Sequence, residues 1–317
     1  MQTWLIGAGP MASFHADVLS AMKIDTTIVA TSATRAKPLA EAKNMAYLVG
    51  GLAKTLSEQS APEAAIIALP VDLLANAALE LLEAGTKRIL LEKPGALNST
   101  ELQKVSDLAE KKGAQVFIAY NRRFFASVIE ARRRIDASEG VLSFSFEFCE
   151  NSPRIAELLT ADHIKQKWFL ANSTHVVDLA FHLGGWPTEL SAQVSGQLPW
   201  HSAAADFRGL GISEKGANFS YFADWRGPGR WGIEIVLPSE RLILRPMEKL
   251  ARMPSGSFSE LQIEIDDDKD VEFKPGLYCQ LEAFYASTPS KDLVSIMQQF
   301  NATQSVYNVI ANYKEDA

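Results

Sequence analysis

Three short stretches of this sequence carry side chains that could move a proton and steady a negative charge. Glu92-Lys93-Pro94 follows an apolar run, Arg88 to Leu91. A lysine there can reach a bound nucleotide's ribose and a ligand hydroxyl, or stand in solvent. Tyr120-Asn121-Arg122-Arg123-Phe124 offers planar and cationic donors, and reads equally as a basic connector between domains. Asn172-Ser173-Thr174-His175-Val176-Val177-Asp178 opens a helical pattern. His175 and Asp178 stand three apart, hence on one helix face. A histidine at a helix start can act as general acid or base, and Ser173 or Thr174 can cap such a helix. The same spacing fits a histidine satisfied inside a core. His182 reads as packed, and His15, His163 and His201 show no local partner pattern. No metal site is read at His175, because neither an H-E-x-x-H pattern nor a cysteine pair is present.

These side chains need elements to hold them. The chain opens on an apolar run, 3–6, broken by Gly7-Ala8-Gly9-Pro10-Met11-Ala12 and followed by helical spacing over 11–22. Strand, G-x-G-x-x-A turn and helix together place backbone N–H groups and a positive helix end against a pyrophosphate. Gly7 allows the tight turn, Gly9 the close approach, and Ala12 the packing of helix on strand. Further strands are expected at 24–31, 47–51, 64–69, 88–91 and 115–120, with helices at 35–44, 72–84 and 99–112. That alternation predicts a doubly wound parallel sheet, so Lys93 lies at the carboxyl edge where ligands bind. An NAD-preferring site places Asp or Glu at the end of the second strand. Here that place reads Thr31-Ser32-Ala33-Thr34-Arg35. Hydroxyls and a guanidinium tolerate a 2′-phosphate, so NADP(H) is favoured and NAD(H) stays open.

The second half reads as α+β. A helix is expected at 124–135, with Arg132-Arg133-Arg134 as a solvated face near its C-terminal end. Strands are expected at 141–147, 189–195, 219–225, 232–237, 241–245 and 260–265, forming a mostly antiparallel open sheet. Asp266-Asp267-Asp268-Lys269-Asp270 reads as a solvated loop without the EF-hand ligand pattern. Closing helices are expected at 276–286 and 293–313. The division is therefore 1–121 and 122–317. At 317 residues, with 47% hydrophobic and 22% charged residues, the chain has the composition of a globular protein. A net charge of −7 gives no support to nucleic-acid binding. Cys149 and Cys279 make no disulfide framework or zinc spacing. There is no signal-peptide pattern and no bilayer-length apolar run, so cytoplasmic residence is expected.

Taken in order, the cofactor turn with His15 behind it, Ala68-Leu69-Pro70, Glu92-Lys93-Pro94, Asn121-Arg122-Arg123-Phe124 and His175-Val176-Val177-Asp178 resemble the glucose–fructose oxidoreductase / inositol dehydrogenase / MocA family. Beyond residue 185 the likeness is architectural only. The resemblance implies a Rossmann domain and an α/β domain with an open sheet. It implies hydride exchange between NAD(P) and a secondary hydroxyl on a carbohydrate-like substrate. Lys93 would hold the reacting oxygen and the cofactor ribose, and His175 would take the hydroxyl proton. The cofactor would be held by Gly7, Ala8, Gly9, Pro10, Met11, Thr31, Ser32, Arg35, Leu69, Pro70, Glu92 and Lys93. The substrate would meet Lys93, Tyr120, Arg123, Asn172, His175 and Asp178. Ala171 stands where many members place an orienting Asp, and Leu73 and Leu74 where many carry a histidine. Ala171 keeps open a second reading, a cofactor-sensing regulator or scaffold, and a third is redox-neutral glycoside cleavage. Trp168, Trp200, Trp225 and Trp231 could stack on a sugar ring or sit in the core. Phe219, Tyr221, Phe222 and Trp225 on an open sheet suggest a homodimer or homotetramer built face to face.

Overall fold

The computed structural model describes residues 1–314, and the chain divides into two compact units. The first comprises Met1–Asn121 and Lys269–Asn301, the second Arg122–Asp268 and, among the described residues, 302–314.

In the first unit β1 (Thr3–Ile6), α1 (Pro10–Ala21), β2 (Thr26–Ala30), α2 (Ala33–Lys43), β3 (Ala46–Val49), α3 (Leu52–Glu58), β4 (Ala64–Ile67), α4 (Leu74–Ala84), β5 (Arg88–Leu91), α5 (Ser99–Lys112) and β6 (Gln115–Ile118) alternate. Every strand pair among β1–β6 is parallel. β4, AAII, is buried throughout, as an apolar run between two neighbouring strands should be. The helices carry their own boundaries. Asn98 caps α5 by accepting from the Glu101 N–H at 2.8 Å, Lys111 and Lys112 close its last turn, and Gly113 leaves in the left-handed region. Helix α3 has no counterpart among the elements expected from sequence.

In the second unit α6 (Ala126–Asp136) leads to β7 (Ser143–Phe148), and two short helices, α7 (Ser152–Ala156) and α8 (Asp162–Gln166), follow. A π-helical turn, Phe169–Ser173, runs into α9 (Thr174–Gly184). Then come β8 (Pro187–Ser195), β9 (Asp206–Ser213), β10 (Asn218–Asp224), β11 (Trp231–Val236), β12 (Glu240–Leu244), β13 (Ala251–Pro254) and β14 (Leu261–Gln262). The sheet order is β14-β13-β12-β11-β7-β10-β9-β8. All pairs are antiparallel except β7 with β10. β7 alternates as SFSFEF, and Phe144, Phe146 and Phe148 point to the buried face. Phe146 lies 5.4 Å from Phe181 of α9 and 5.2 Å from Tyr221 of β10 between ring centroids. A Cβ on Gly184 would stand 2.4 Å from the Phe144 ring, so α9 ends on the sheet at the one residue without a side chain.

Past β14, α10 (Asp268–Glu272), α11 (Leu277–Tyr285), β15 (Val294–Ser295) and α12 (Ile296–Ala302) complete the chain with a π turn, Thr303–Tyr307, and a last helical turn, Asn308–Ala311. β15 pairs antiparallel with β6 and gives the first sheet its full order, β15-β6-β5-β4-β1-β2-β3.

Several expectations from sequence do not hold. A division at 121 and 122 alone misplaces residues 269–301, which belong to the first unit because β15 extends its sheet. The acidic run is not all loop. It opens α10, and Asp270 Oδ1 accepts from the Gly276 N–H at 2.6 Å. The strand expected over 260–265 shrinks to Leu261–Gln262. The Arg132–Arg134 face is paired rather than merely solvated: Arg133 and Arg134 reach Glu130 and Arg134 also Glu240. The aromatic interface face does not exist as expected. Phe219, Tyr221 and Trp225 are buried in the second core, and only Phe222 is exposed, beside Leu210 of β9. Cys149 is buried and Cys279 half-buried, both free. Burial pushes the Cys149 thiol up to about 11, an inert thiol. Among the described residues no helix is long and apolar enough to cross a membrane.

Candidate active site

A cavity of about 740 Å³ opens over the carboxyl ends of β1, β2 and β4 in the first unit. The glycine turn, Gly7 to Met11, forms one side. Thr31, Ser32, Thr34 and Arg35 form a second, after β2, and Ala68, Leu69 and Pro70 a third, after β4. The turn's two glycines differ in why they are glycine. Gly7 has φ +115°, and a Cβ there would meet the Ala68 carbonyl oxygen, so this position makes the turn possible. Gly9 has an ordinary φ, and a Cβ on it would meet nothing within 4 Å. The fold does not need a glycine at Gly9, which lines the cavity, whereas a ligand approaching the backbone does. Helix α1 starts at that point with Pro10 in its first turn, no acidic residue and no side-chain cap. Its amide dipole therefore faces the cavity uncompensated, the arrangement a pyrophosphate fits. Ser32 precedes α2 without using its hydroxyl as a cap. No carboxylate lines the cavity among the described residues. The residues present fit an NAD(P) molecule.

Glu92 and Lys93, read as cofactor contacts, do not line this cavity. His15, fully buried in α1, donates from Nε2 to Glu92 Oε1 at 2.9 Å. The glycine-turn helix and the segment after β5 are thereby tied together. Lys93 is half-buried directly after β5. Gln299 of α12 donates from its amide to the Pro94 carbonyl at 2.9 Å, which anchors the same segment. Tyr120 is buried, and Asn121 donates to the Pro275 carbonyl at 2.9 Å.

The second group of site residues surrounds the start of α9. Neither Ser173 nor Thr174 caps the helix as expected. The turn before it is π-helical, a form common at functional positions. Thr174 bonds back to the Leu170 carbonyl at 2.9 Å, and Ser173 donates to Glu150 Oε1 at 2.7 Å. Asn172 donates its amide to both Glu150 oxygens, at 3.0 and 3.1 Å. Glu150 leaves β7 and is itself buried. Sequence reasoning misses this carboxylate, because its partners lie 22 and 23 residues further on. The only signal is an acidic residue directly after a strand of alternating phenylalanines.

His175 is buried, with its ring 6.4 Å from Trp231 of β11 between centroids. On Trp231 also lies Arg122, its guanidinium 4.8 Å from the ring centroid. Burial pulls the Arg122 pKa down, while Glu248 and Glu150 pull it up. Of the tryptophans considered for sugar stacking, Trp231 is the one beside a site histidine. Trp200 and Trp225 stack on each other inside the core, at 5.7 Å. Arg123 and Asp178, both expected to meet substrate, pair with each other. They form a two-pronged pair at 2.7 and 2.6 Å, with side chains only 6% and 1% exposed. His201 is a core histidine: it donates from Nδ1 to the Ala204 carbonyl at 2.7 Å and accepts from Tyr313 at 2.8 Å.

Residues 1–120 match the family described as the oxidoreductase family with an NAD-binding Rossmann fold, Gfo/Idh/MocA. That match covers the N-terminal domain alone. Over nearly its whole length the fold is similar to that of solved structures. Levoglucosan dehydrogenase in complex with NADH superposes with a TM-score of 0.81 at 17% identity, covering 98% of this chain and 96% of that one. UDP-N-acetylglucosamine 3-dehydrogenase from Acidithiobacillus ferrooxidans gives 0.75 at 17% identity, covering 99% and 98%. An NAD-binding oxidoreductase from Klebsiella pneumoniae gives 0.79 at 16% identity, covering 98% and 96%. No curated protein matches the sequence.

Proposed function

We propose that the protein is an NAD(P)-dependent dehydrogenase or reductase that moves hydride between the nicotinamide and a secondary hydroxyl or ketone of a sugar, sugar nucleotide or polyol. The observation that carries this reading is the cradle of the first unit: an open glycine at Gly9 and an uncapped helix facing a cavity of dinucleotide size. The absence of any lining carboxylate among the described residues, with Thr31, Ser32 and Arg35 after β2, favours NADP(H) over NAD(H). The carbohydrate class draws support from the sugar substrates named in two of the similar structures.

An NAD(P) held by the glycine turn and the residues after β2 and β4 would supply the hydride chemistry. The protein's own residues manage the oxygen and its proton. The Lys93 ammonium would steady negative charge as it develops on the reacting oxygen. His175 takes the hydroxyl proton as general base, a step typically worth about 10²–10⁴-fold. Asn172 and Glu92 act less directly: the first holds Glu150, the second holds His15. Arg123 and Asp178 support α9 from within. Assembly as a homodimer or homotetramer would use the open face around Leu210 and Phe222. The free cysteines fit the cytoplasmic setting.

The test is NADPH and NADH binding by titration, then turnover across a panel of sugars, UDP-sugars and cyclitols. Tighter binding of NADPH and turnover of one class is expected, with Lys93→Ala and His175→Asn losing turnover while keeping cofactor affinity. Tight cofactor binding with no turnover of any compound by either cofactor would overturn the reading.

A further inference from the structure

Glu150 is a buried carboxylate that accepts from the Asn172 amide twice and from the Ser173 hydroxyl once. Burying a carboxylate is costly, so one kept inside the fold is tied to what surrounds it. Both donors belong to the turn before α9, and Asn172 stands three residues, about one turn, ahead of His175. Other charged groups also lie around this histidine. Asp178, on its own helix, is neutralised by Arg123. Arg122 lies over Trp231, reaches Glu248 at 3.7 Å and feels Glu150 through space. Arg230 is exposed at the near end of β11. Glu147 of β7 receives the Arg230 N–H and faces Arg245.

We propose that Glu150 is the positioning carboxylate of His175: through Asn172 and Ser173 it fixes the first turn of α9 and sets a negative charge beside the imidazole. The inference rests on the proposed role of His175 as proton acceptor. A negative charge there favours the imidazolium that forms when the histidine takes a proton, and it keeps the ring basic enough to take it. Glu150 touches neither substrate nor cofactor in this role; it works through the histidine.

The sequence contains five histidines, so the ring signals can be followed individually by NMR on the full chain with labelled histidine, and His175→Asn identifies the signal of interest. Glu150→Gln keeps an oxygen for Ser173 and removes the charge. The titration midpoint of His175 should fall by roughly one pH unit in this variant, with the other four unchanged. Glu150→Asp keeps the charge on a shorter arm, and its midpoint should lie between the two. An unmoved His175 midpoint in a folded Glu150→Gln protein would overturn the proposal. Should that variant not fold, the aspartate variant decides in the same way. The measurement uses no substrate, so a failure of the dehydrogenase reading shows up as absent turnover and leaves the titration result standing by itself.

Discussion

Breaking the Arg123–Asp178 pair separates a structural role from a substrate-binding one. Both side chains are almost fully buried, at 6% and 1%, and the guanidinium meets both carboxylate oxygens. Tyr307 adds only a long contact at 3.5 Å to the same carboxylate. Arg123→Leu therefore leaves Asp178 charged, buried and nearly alone. Stranding one member of such a pair costs about 3–5 kcal/mol. Replacing both, as Arg123→Leu with Asp178→Leu, removes the stranded charge and should recover most of that loss. Urea unfolding followed by tryptophan fluorescence reads the right unit, since Trp168, Trp186, Trp200, Trp225 and Trp231 all lie in it and only Trp4 lies in the other. The expected pattern is a large fall in the midpoint for either single variant and a smaller one for the double. A single variant as stable as the parent but with a raised KM would refute the structural assignment and return Arg123 to the substrate.

The two turn glycines should part company: Gly9→Val is expected to melt like the parent while losing NADPH affinity at least about tenfold, roughly 1.4 kcal/mol. Gly7→Val should instead lose stability, by about 1–3 kcal/mol, since its backbone is left-handed and its Cβ meets a carbonyl; isothermal titration and thermal melts read the two effects. His201 makes stability pH-dependent. Burial lowers its pKa, so the folded state holds it neutral, and the unfolded chain takes the proton first as pH falls. Its contribution is complete above the unfolded pKa of about 6.5 and declines as pH drops below that. His201→Phe should flatten that acid limb in urea midpoints measured across pH, and an unchanged limb would contradict the assignment.

The parts of this fold that can be read from sequence are local ones. The first turn declares itself because strand, glycines and helix are contiguous, and α5 because its cap, terminal lysines and Gly113 lie within sixteen residues of one another. Elements whose reason lies elsewhere in the chain stay hidden. β9 carries Gly209 and Gly211 inside it, which blurs the alternation; it is a strand because β8 and β10 flank it. β15 is two residues long and exists because β6 offers an edge. The site shows the same limit. His175 and the cofactor turn are visible, whereas the Arg123–Asp178 pair spans 55 residues and the Glu150 contacts 22 and 23. The aromatic face misleads for a simpler reason. Phe219 and Tyr221 fall on one side of β10 and Phe222 on the other, as a period of two requires.

The parallel pairing of β7 with β10 has a kinetic side. It joins Phe144 to Phe219 across 75 positions of chain, while the β11–β12 hairpin joins Val236 to Arg241 across five. Closing the longer loop costs about 2.4 kcal/mol more in chain entropy than closing the shorter one. The hairpin half of the second sheet can therefore form early and locally, and β7 is seated between β10 and β11 only once the long closure has been made. Glu150 leaves the end of that strand, so the carboxylate beside α9 comes into place at the slow step of folding, not before it.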